Sequence, residues 1–129
     1  MKKKYLIVMA DYYKDVSNGL LKSAKNLLPK SNLIKIINVP GVFEIPVTIS
    51  KNIKKYDGFL ALGCIIKGQT PHFDFISQAS TDAIMKLSID YKKPIGNGII
   101  TCLNMKQAIA RKKKGREAAQ AVISVLSQK

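Results

Sequence analysis

The chain has 129 residues, of which 47% are hydrophobic, and a formal net charge of +14 from 22 basic and 8 acidic residues. This length favours one domain, residues 1–129, with a sizeable core. No uncharged stretch approaches the roughly 18 residues of a membrane span, and no run has the pattern of a cleavable signal, so we expect a cytoplasmic protein with no membrane partner.

The predicted elements alternate between short apolar runs, which indicate strands, and longer segments with apolar residues at helical spacing. In chain order they are a strand at 5–10, a helix at 15–28, a strand at 33–39, a helix at 42–55, a strand at 59–66, a helix at 72–91, a strand at 95–101, a short helix at 104–111 and a last helix after Gly115. Pro29 and Pro94 mark helix ends, and Pro46 is tolerated in a first turn. The predicted buried stripe of the longest helix is Ile76, Ala79, Ala83, Ile84, Leu87 and Tyr91.

The alternation of strands and helices implies right-handed crossovers and a parallel sheet. We therefore predict an α/β fold: a single three-layer α/β/α domain, flavodoxin-like, with a four-stranded parallel sheet. Ligands of such sheets bind beyond the carboxyl ends of the strands. Three segments should meet at that edge, and they are Tyr12-Tyr13, residues 40–45 and residues 67–72.

The segment 62–75 leads from the third strand through a turn at Gly68 to the only histidine, His72, at the predicted start of a helix. Backbone N–H groups and the helix dipole favour an anion at such a position. Histidine also exchanges protons near neutral pH. The residues alone equally allow an ordinary strand–turn–helix connection with an incidental histidine.

Cys64 and Cys102 both lie in apolar runs that are typical of strands. Such placement indicates buried thiols in a reducing compartment, not a disulfide framework. Together with one histidine they make a poor set of metal ligands, so we predict no metal.

Lysine carries almost all of the positive charge, because only Arg111 and Arg116 are arginine. Recognition of bases and phosphates usually relies on arginine. The lysines are also scattered, apart from the runs at 2–4 and 111–116. The pattern favours solvated surface charge, and we expect no nucleic acid partner. A basic nucleic-acid-binding protein stays an alternative.

Three motifs closely resemble the 6,7-dimethyl-8-ribityllumazine synthase family, in order and with similar spacing: VPGVFEIP at 39–46, ALGCIIKGQTPHFDF at 61–75 and KGREAA at 114–119. The resemblance implies a transferase of the penultimate step of riboflavin biosynthesis. It would condense 5-amino-6-ribitylamino-uracil with 3,4-dihydroxy-2-butanone 4-phosphate to give 6,7-dimethyl-8-ribityllumazine, phosphate and water. The resemblance also implies that no cofactor is needed and that the protein supplies proximity, orientation and proton transfer.

The resemblance further implies a role for each matching residue. His72 is expected to be the general acid and base, with a helix cap as the alternative. The residues expected to hold the pyrimidine and its ribityl chain are Tyr12, Val42, Phe43, Glu44, Ile65, Ile66, Asn97, Lys114 and Glu117. The residues expected to hold the phosphate are Lys67, Gly68, Gln69, Thr70 and Arg111. Tyr13 competes with Tyr12 for the stacking position, Glu44 could simply cap its helix, and Arg111 could pair with a helix dipole.

Asn97, which the resemblance places against the other face of the ring, lies near the start of the fourth predicted strand. The other candidates lie at strand ends, on the opposite edge of a parallel sheet, about 15–20 Å away. A site between two subunits reconciles these positions. This agrees with the homopentamer that the resemblance implies, and a larger shell of pentamers stays open because the high charge opposes their packing.

A second hypothesis is a non-catalytic relative that binds a lumazine or flavin-like ligand without turnover. The fold alone does not separate it from the enzyme. The presence of His72, Arg111 and Lys114 together favours the enzyme.

Overall fold

The computed structural model describes residues 2–30 and 33–128. Its four strands are all parallel and form one sheet in the order β2-β1-β3-β4. The strands are β1 (Lys4–Ala10), β2 (Leu33–Val39), β3 (Gly58–Ile66) and β4 (Ile95–Cys102). From β1 the chain goes to the edge strand β2, and it then crosses over β1 to form β3 and β4 on the other side. This topology confirms the predicted α/β class and its flavodoxin-like arrangement.

Helices cover both faces of the sheet and give it three layers. They are α1 (Lys14–Leu27), α2 (Ile45–Asn52), α3 (His72–Tyr91), α4 (Met105–Ala110) and α5 (Lys114–Leu126). On one face α1, α4 and α5 bury Leu20, Ala108 and Val122, and on the other α2 and α3 bury Ile49 and Ile84. None of the helices in the described part of the chain is long and apolar enough to cross a membrane.

The central strand β3 is buried from Gly58 to Ile65. This confirms the interpretation of its apolar run, since helices pack on both of its faces. The edge strand β2 is more open, with Leu33 57% exposed. Burial of a large apolar side chain contributes about 1.5–3 kcal/mol relative to exposure, so the two core layers around β1 and β3 hold the fold together.

Two predicted helix boundaries are wrong. The predicted helix at 42–55 begins as a 3₁₀ turn (Val42–Glu44) and ends at Asn52, because residues 53–55 form a turn. Gly115, predicted to separate the last two helices, lies inside α5. A Cβ at Gly115 would collide with the carbonyl oxygen of Leu20, so the glycine lets α5 approach α1 closely.

The buried stripe predicted on α3 is only partly confirmed. Ile84 is buried and Ile76 is half-buried, but Ala79 and Tyr91 are exposed. The helix carries apolar residues on most sides, and only one side meets the sheet. Three further large apolar side chains of α3 are 58–66% exposed, namely Phe75, Met85 and Ile89.

Candidate functional site

A cleft of about 570 Å³ opens where β1 and β3 end, at the point where the strand order reverses. Six of the residues predicted for the site line it together, and they are Tyr12, Val42, Phe43, Ile65, Ile66 and His72. The topology explains this convergence, because the chain leaves the same edge of the sheet after β1, β2 and β3.

Four further residues line the cleft: Tyr13, Gly41, Cys64 and Ile76. Sequence reasoning gave Tyr13 only as the alternative to Tyr12 and missed the other three, although Gly41 lies in the predicted segment 40–45 and Cys64 lies in the strand before the turn. Ile76 follows His72 by one helical turn, so the i, i+4 spacing places the two side chains on the same face of α3. That spacing was the available signal for Ile76.

Tyr12 and Tyr13 differ in how far their rings are buried. The Tyr12 ring is 75% exposed, whereas Tyr13 is half-buried against the core layer beneath α1. Burial raises the pKa of Tyr13 above its usual value, and the neighbouring Tyr12 and Cys64 add to this. Tyr12 is therefore the ring that is free to contact a ligand.

The 3₁₀ turn after Gly41 presents its three side chains differently. Val42 is buried in the cleft wall, whereas Phe43 is 69% exposed and also borders a second groove, of about 420 Å³, between α2 and α3. Glu44 lines that groove and not the cleft. A Cβ built on Gly41 would lie 3.3 Å from Oε1 of Glu44, so this carboxylate lies beside Gly41, which lines the cleft.

His72 is the first residue of α3 and is exposed at the rim of the cleft. Its backbone N–H donates to the hydroxyl of Thr70, at 3.4 Å. The N-cap position is Pro71, and no side chain caps the helix there. The His72 imidazole therefore does not act as the helix cap, which was the alternative role for this residue.

The turn after β3 offers free donors for an anion. The backbone N–H of Lys67 is used, since it donates to the carbonyl oxygen of Cys102 at 2.9 Å. Within the described residues, the backbone N–H groups of Gly68, Gln69 and Thr70 donate no hydrogen bond. A Cβ at Gly68 would meet no atom within 4 Å, so the turn is open to a ligand. These residues lie beside the cleft and do not line it.

Arg111 follows α4 and lies at the carboxyl end of β4. Its Nη1 is 3.5 Å from the carbonyl oxygen of Thr101 and 4.0 Å from Sγ of Cys102. Because Lys67 also bonds to Cys102, Arg111 and the turn at 67–70 meet near one residue. Arg111 is also the C-cap residue of α4, so pairing with the dipole of that helix stays an alternative role, although the guanidinium contacts are with β4.

Three predicted residues lie away from the cleft. Lys114 and Glu117 pair with each other in the first turn of α5, with Nζ 3.3 Å from Oε1. Asn97 is exposed on β4, and its Oδ1 accepts a hydrogen bond from the backbone N–H of Ile99. The register pairs Asn97 with Ala61 and Cys102 with Ile66. Asn97 is therefore five residues, roughly 16 Å, from the end of the sheet at which the cleft opens.

Cys64 and Cys102 are both buried and free, as predicted. Burial raises the pKa of the Cys64 thiol to about 12, and the adjacent Cys102 adds to this shift. A thiol is nucleophilic as its thiolate, so Cys64 is inert at neutral pH although it lines the cleft.

A model of the family described as 6,7-dimethyl-8-ribityllumazine synthase matches residues 2–129. A protein of that name from Bartonella bacilliformis is 42% identical, over 96% of this chain and 88% of the relative. The proteins of that name from Agrobacterium fabrum and Bartonella henselae are 41% and 44% identical, over 96% of this chain and 93% and 86% of their own lengths.

Proposed function

Since the chain belongs to the 6,7-dimethyl-8-ribityllumazine synthase family, we propose that the cleft at the carboxyl edge of its sheet is the substrate site. The chain is a transferase of riboflavin biosynthesis. It condenses 5-amino-6-ribitylamino-uracil with 3,4-dihydroxy-2-butanone 4-phosphate to 6,7-dimethyl-8-ribityllumazine. A non-catalytic binding relative is not favoured by these matches. The observation that supports this site is the convergence of six expected residues on one cleft.

The pyrimidine lies in the apolar part of the cleft. The exposed ring of Tyr12 offers a flat face for stacking, and Ile65 and Ile66 offer apolar contact from the end of β3. Val42 and Phe43 close the wall along which the ribityl chain extends. The carboxylate of Glu44 lies beside Gly41 in the cleft lining, where it accepts hydrogen bonds from ribityl hydroxyls once the chain is bound.

His72 transfers protons at the rim of the cleft. Condensation of an amine with a ketone, loss of phosphate and ring closure each require protons to move on and off oxygen, nitrogen and carbon. The exposed imidazole is next to the apolar pyrimidine region and two residues after the open turn at 68–70. This position lets His72 serve both reactants, while most of the acceleration comes from holding them together.

The phosphate binds at the corner formed by residues 67–70 and Arg111. Three unpaired backbone N–H groups and one guanidinium provide donors that match phosphate oxygens. Lys67 is exposed in the same turn and adds positive charge.

The assembled enzyme is a homopentamer whose active sites lie between subunits. Asn97, Lys114 and Glu117 lie off the cleft, which supports a site that a neighbouring subunit completes. The exposed apolar side chains of α3, Phe75, Met85 and Ile89, support burial of this helix against a second copy. The two buried free thiols support the cytoplasm as the compartment, and the single sheet supports one domain over residues 1–129.

The proposal is tested by mixing the purified protein with both substrates and following lumazine formation by absorbance and fluorescence. A mixture without enzyme runs alongside, because the condensation proceeds slowly unaided. We expect clear acceleration, and we expect His72→Ala to lower kcat by about 10²-fold without abolishing turnover or changing the melting temperature. An active wild-type enzyme with an equally active His72→Ala variant would remove His72 from the mechanism.

A further inference from the structure

The turn that carries Arg111, residues 111–113, is attached to α1 through Lys112. Nζ of Lys112 lies 2.9 Å from Oδ2 of Asp15. The hydroxyl of Ser23 lies 3.0 Å from the carbonyl oxygen of Lys112 and 3.0 Å from that of Leu20, and it shares its proton between these two acceptors. The side chain of Lys112 is 29% exposed, whereas that of Asp15 is 84% exposed. An ion pair this open to solvent adds little to stability, so its main consequence is geometric.

The fit between Lys112 and α1 is close. A Cβ at Gly19 would lie 2.6 Å from Cδ and 2.9 Å from Cβ of Lys112. The aliphatic part of Lys112 therefore lies directly on the backbone of α1. Lys112 is therefore held by three kinds of contact: an ion pair, a hydrogen bond and this packing.

The side chain of Arg111 is held weakly. Its guanidinium makes one long hydrogen bond to Thr101 and a distant contact to Cys102. Its backbone is part of the turn between α4 and α5: the N–H donates to the carbonyl oxygen of Ala108 at 3.1 Å, and the carbonyl oxygen accepts from the N–H of Lys114 at 3.0 Å. The contacts of Lys112 attach this turn to α1, so the position of the guanidinium depends on that attachment.

We propose that Lys112, held by Asp15 and Ser23, is a positioning residue for Arg111, and that these contacts set the affinity for the phosphorylated substrate. The inference rests on the proposed role of Arg111 in binding phosphate. It adds three residues, Asp15, Ser23 and Lys112, that have no direct contact with substrate.

The test compares Asp15→Asn and Ser23→Ala with the wild-type enzyme in steady-state kinetics with both substrates. We expect KM for the butanone phosphate to rise about three- to tenfold, with kcat and KM for the pyrimidine within about twofold of wild type. Asp15→Glu should restore most of the affinity. The direction is informative: removing a carboxylate makes the surface more positive, so simple attraction would lower KM for an anionic substrate.

Matched controls come from α3. Asp90→Asn breaks another exposed ion pair, Lys86–Asp90 at 3.1 Å, and Ser88→Ala removes a hydroxyl whose bond stays within its own helix. Neither control should change either KM. On an Arg111→Ala background, Asp15→Asn should have no further effect on KM for the butanone phosphate, because the residue that it positions is absent.

The outcomes separate the inference from the function on which it rests. If Arg111→Ala raises KM for the butanone phosphate but Asp15→Asn and Ser23→Ala do not, the positioning role is wrong and the phosphate site stands. Equal rises in both KM values, or an additive effect on the Arg111→Ala background, also overturn the positioning role. If Arg111→Ala leaves KM for the butanone phosphate unchanged, the phosphate assignment and this inference both fail.

Discussion

The ring of Tyr13 meets the ring of Tyr12 edge-on, with centroids 4.9 Å apart and planes at 84°. Edge-to-face contact is a favoured arrangement of aromatic rings. Because Tyr13 packs against the core, it orients the exposed ring of Tyr12 over the cleft. Tyr13 thus supports the ring of Tyr12, whose face is left open to a ligand. The sequence, in which the two tyrosines are adjacent, does not distinguish these roles.

Substitution should separate the two tyrosines. We expect Tyr12→Ala to raise KM for the pyrimidine about tenfold with little change in stability, because stacking on an exposed ring is lost. Tyr13→Ala should instead lower the free energy of unfolding by about 2 kcal/mol, because it removes a ring packed on the core. Steady-state kinetics and urea unfolding of both variants measure these effects, and the opposite pattern would assign the stacking ring to Tyr13.

The two arginines provide a matched pair. Arg111→Ala should raise KM for the butanone phosphate about tenfold or more, since charge-assisted hydrogen bonds to phosphate contribute about 1.5–3 kcal/mol. Arg116→Ala removes the same charge from an exposed position on α5 and should change KM little. If KM for the pyrimidine rises most in Arg111→Ala, the phosphate lies elsewhere.

The pKa of Cys64 predicts how stability responds to alkaline pH. Burial raises the pKa of this thiol from 9.0 to about 12, so the folded state favours the protonated form. Its contribution to stability is therefore complete below pH 9 and is lost as the pH rises towards 12. We expect the free energy of unfolding to fall in this window with a slope of up to about 1.4 kcal/mol per pH unit from this group.

Cys64→Ala isolates that contribution. The raised pKa values of Tyr5 and Tyr13 act in the same direction above pH 10 and remain in the variant. The difference between wild-type and variant unfolding free energies, measured from pH 8 to 11, should shrink as the pH rises. A difference that stays constant over this range would show that the Cys64 pKa is not raised.

The order of strands and helices was predictable because local patterns determine it. The apolar run of β3 and the proline after α1 act over a few residues. Gly115 was misread for the same reason: a glycine usually interrupts a helix, and only its contact with Leu20, nearly a hundred residues away, explains why α5 includes it. Helical periodicity likewise identified apolar residues of α3 but not which of them, such as Tyr91, the sheet leaves uncovered.

The candidate site was likewise predictable in part. Residues at the ends of β1 and β3 were predicted to meet because parallel topology brings strand ends together. The separation of Glu44 from the cleft depends on side-chain contacts that sequence patterns do not specify. The i, i+3 spacing of Lys114 and Glu117 allows their pairing only if both lie in one helix, and the misreading of Gly115 hid this. The register that pairs Asn97 with Ala61, however, agrees with the distance expected from strand length alone.

Mixing of inactive subunits tests the proposed interface. If Asn97 serves a neighbour's cleft, an oligomer that contains His72→Ala and Asn97→Lys subunits will include sites with wild-type residues at both positions. With random assembly at equal amounts, about a quarter of the sites combine an intact cleft with an intact neighbour. We therefore expect the co-refolded mixture to be more active than either variant alone. Co-refolding each variant with the wild-type protein controls for the yield of refolded enzyme. If the mixture is no more active than the average of the two variants refolded alone, either Asn97 and His72 serve the same subunit's site or Asn97 is not part of the site.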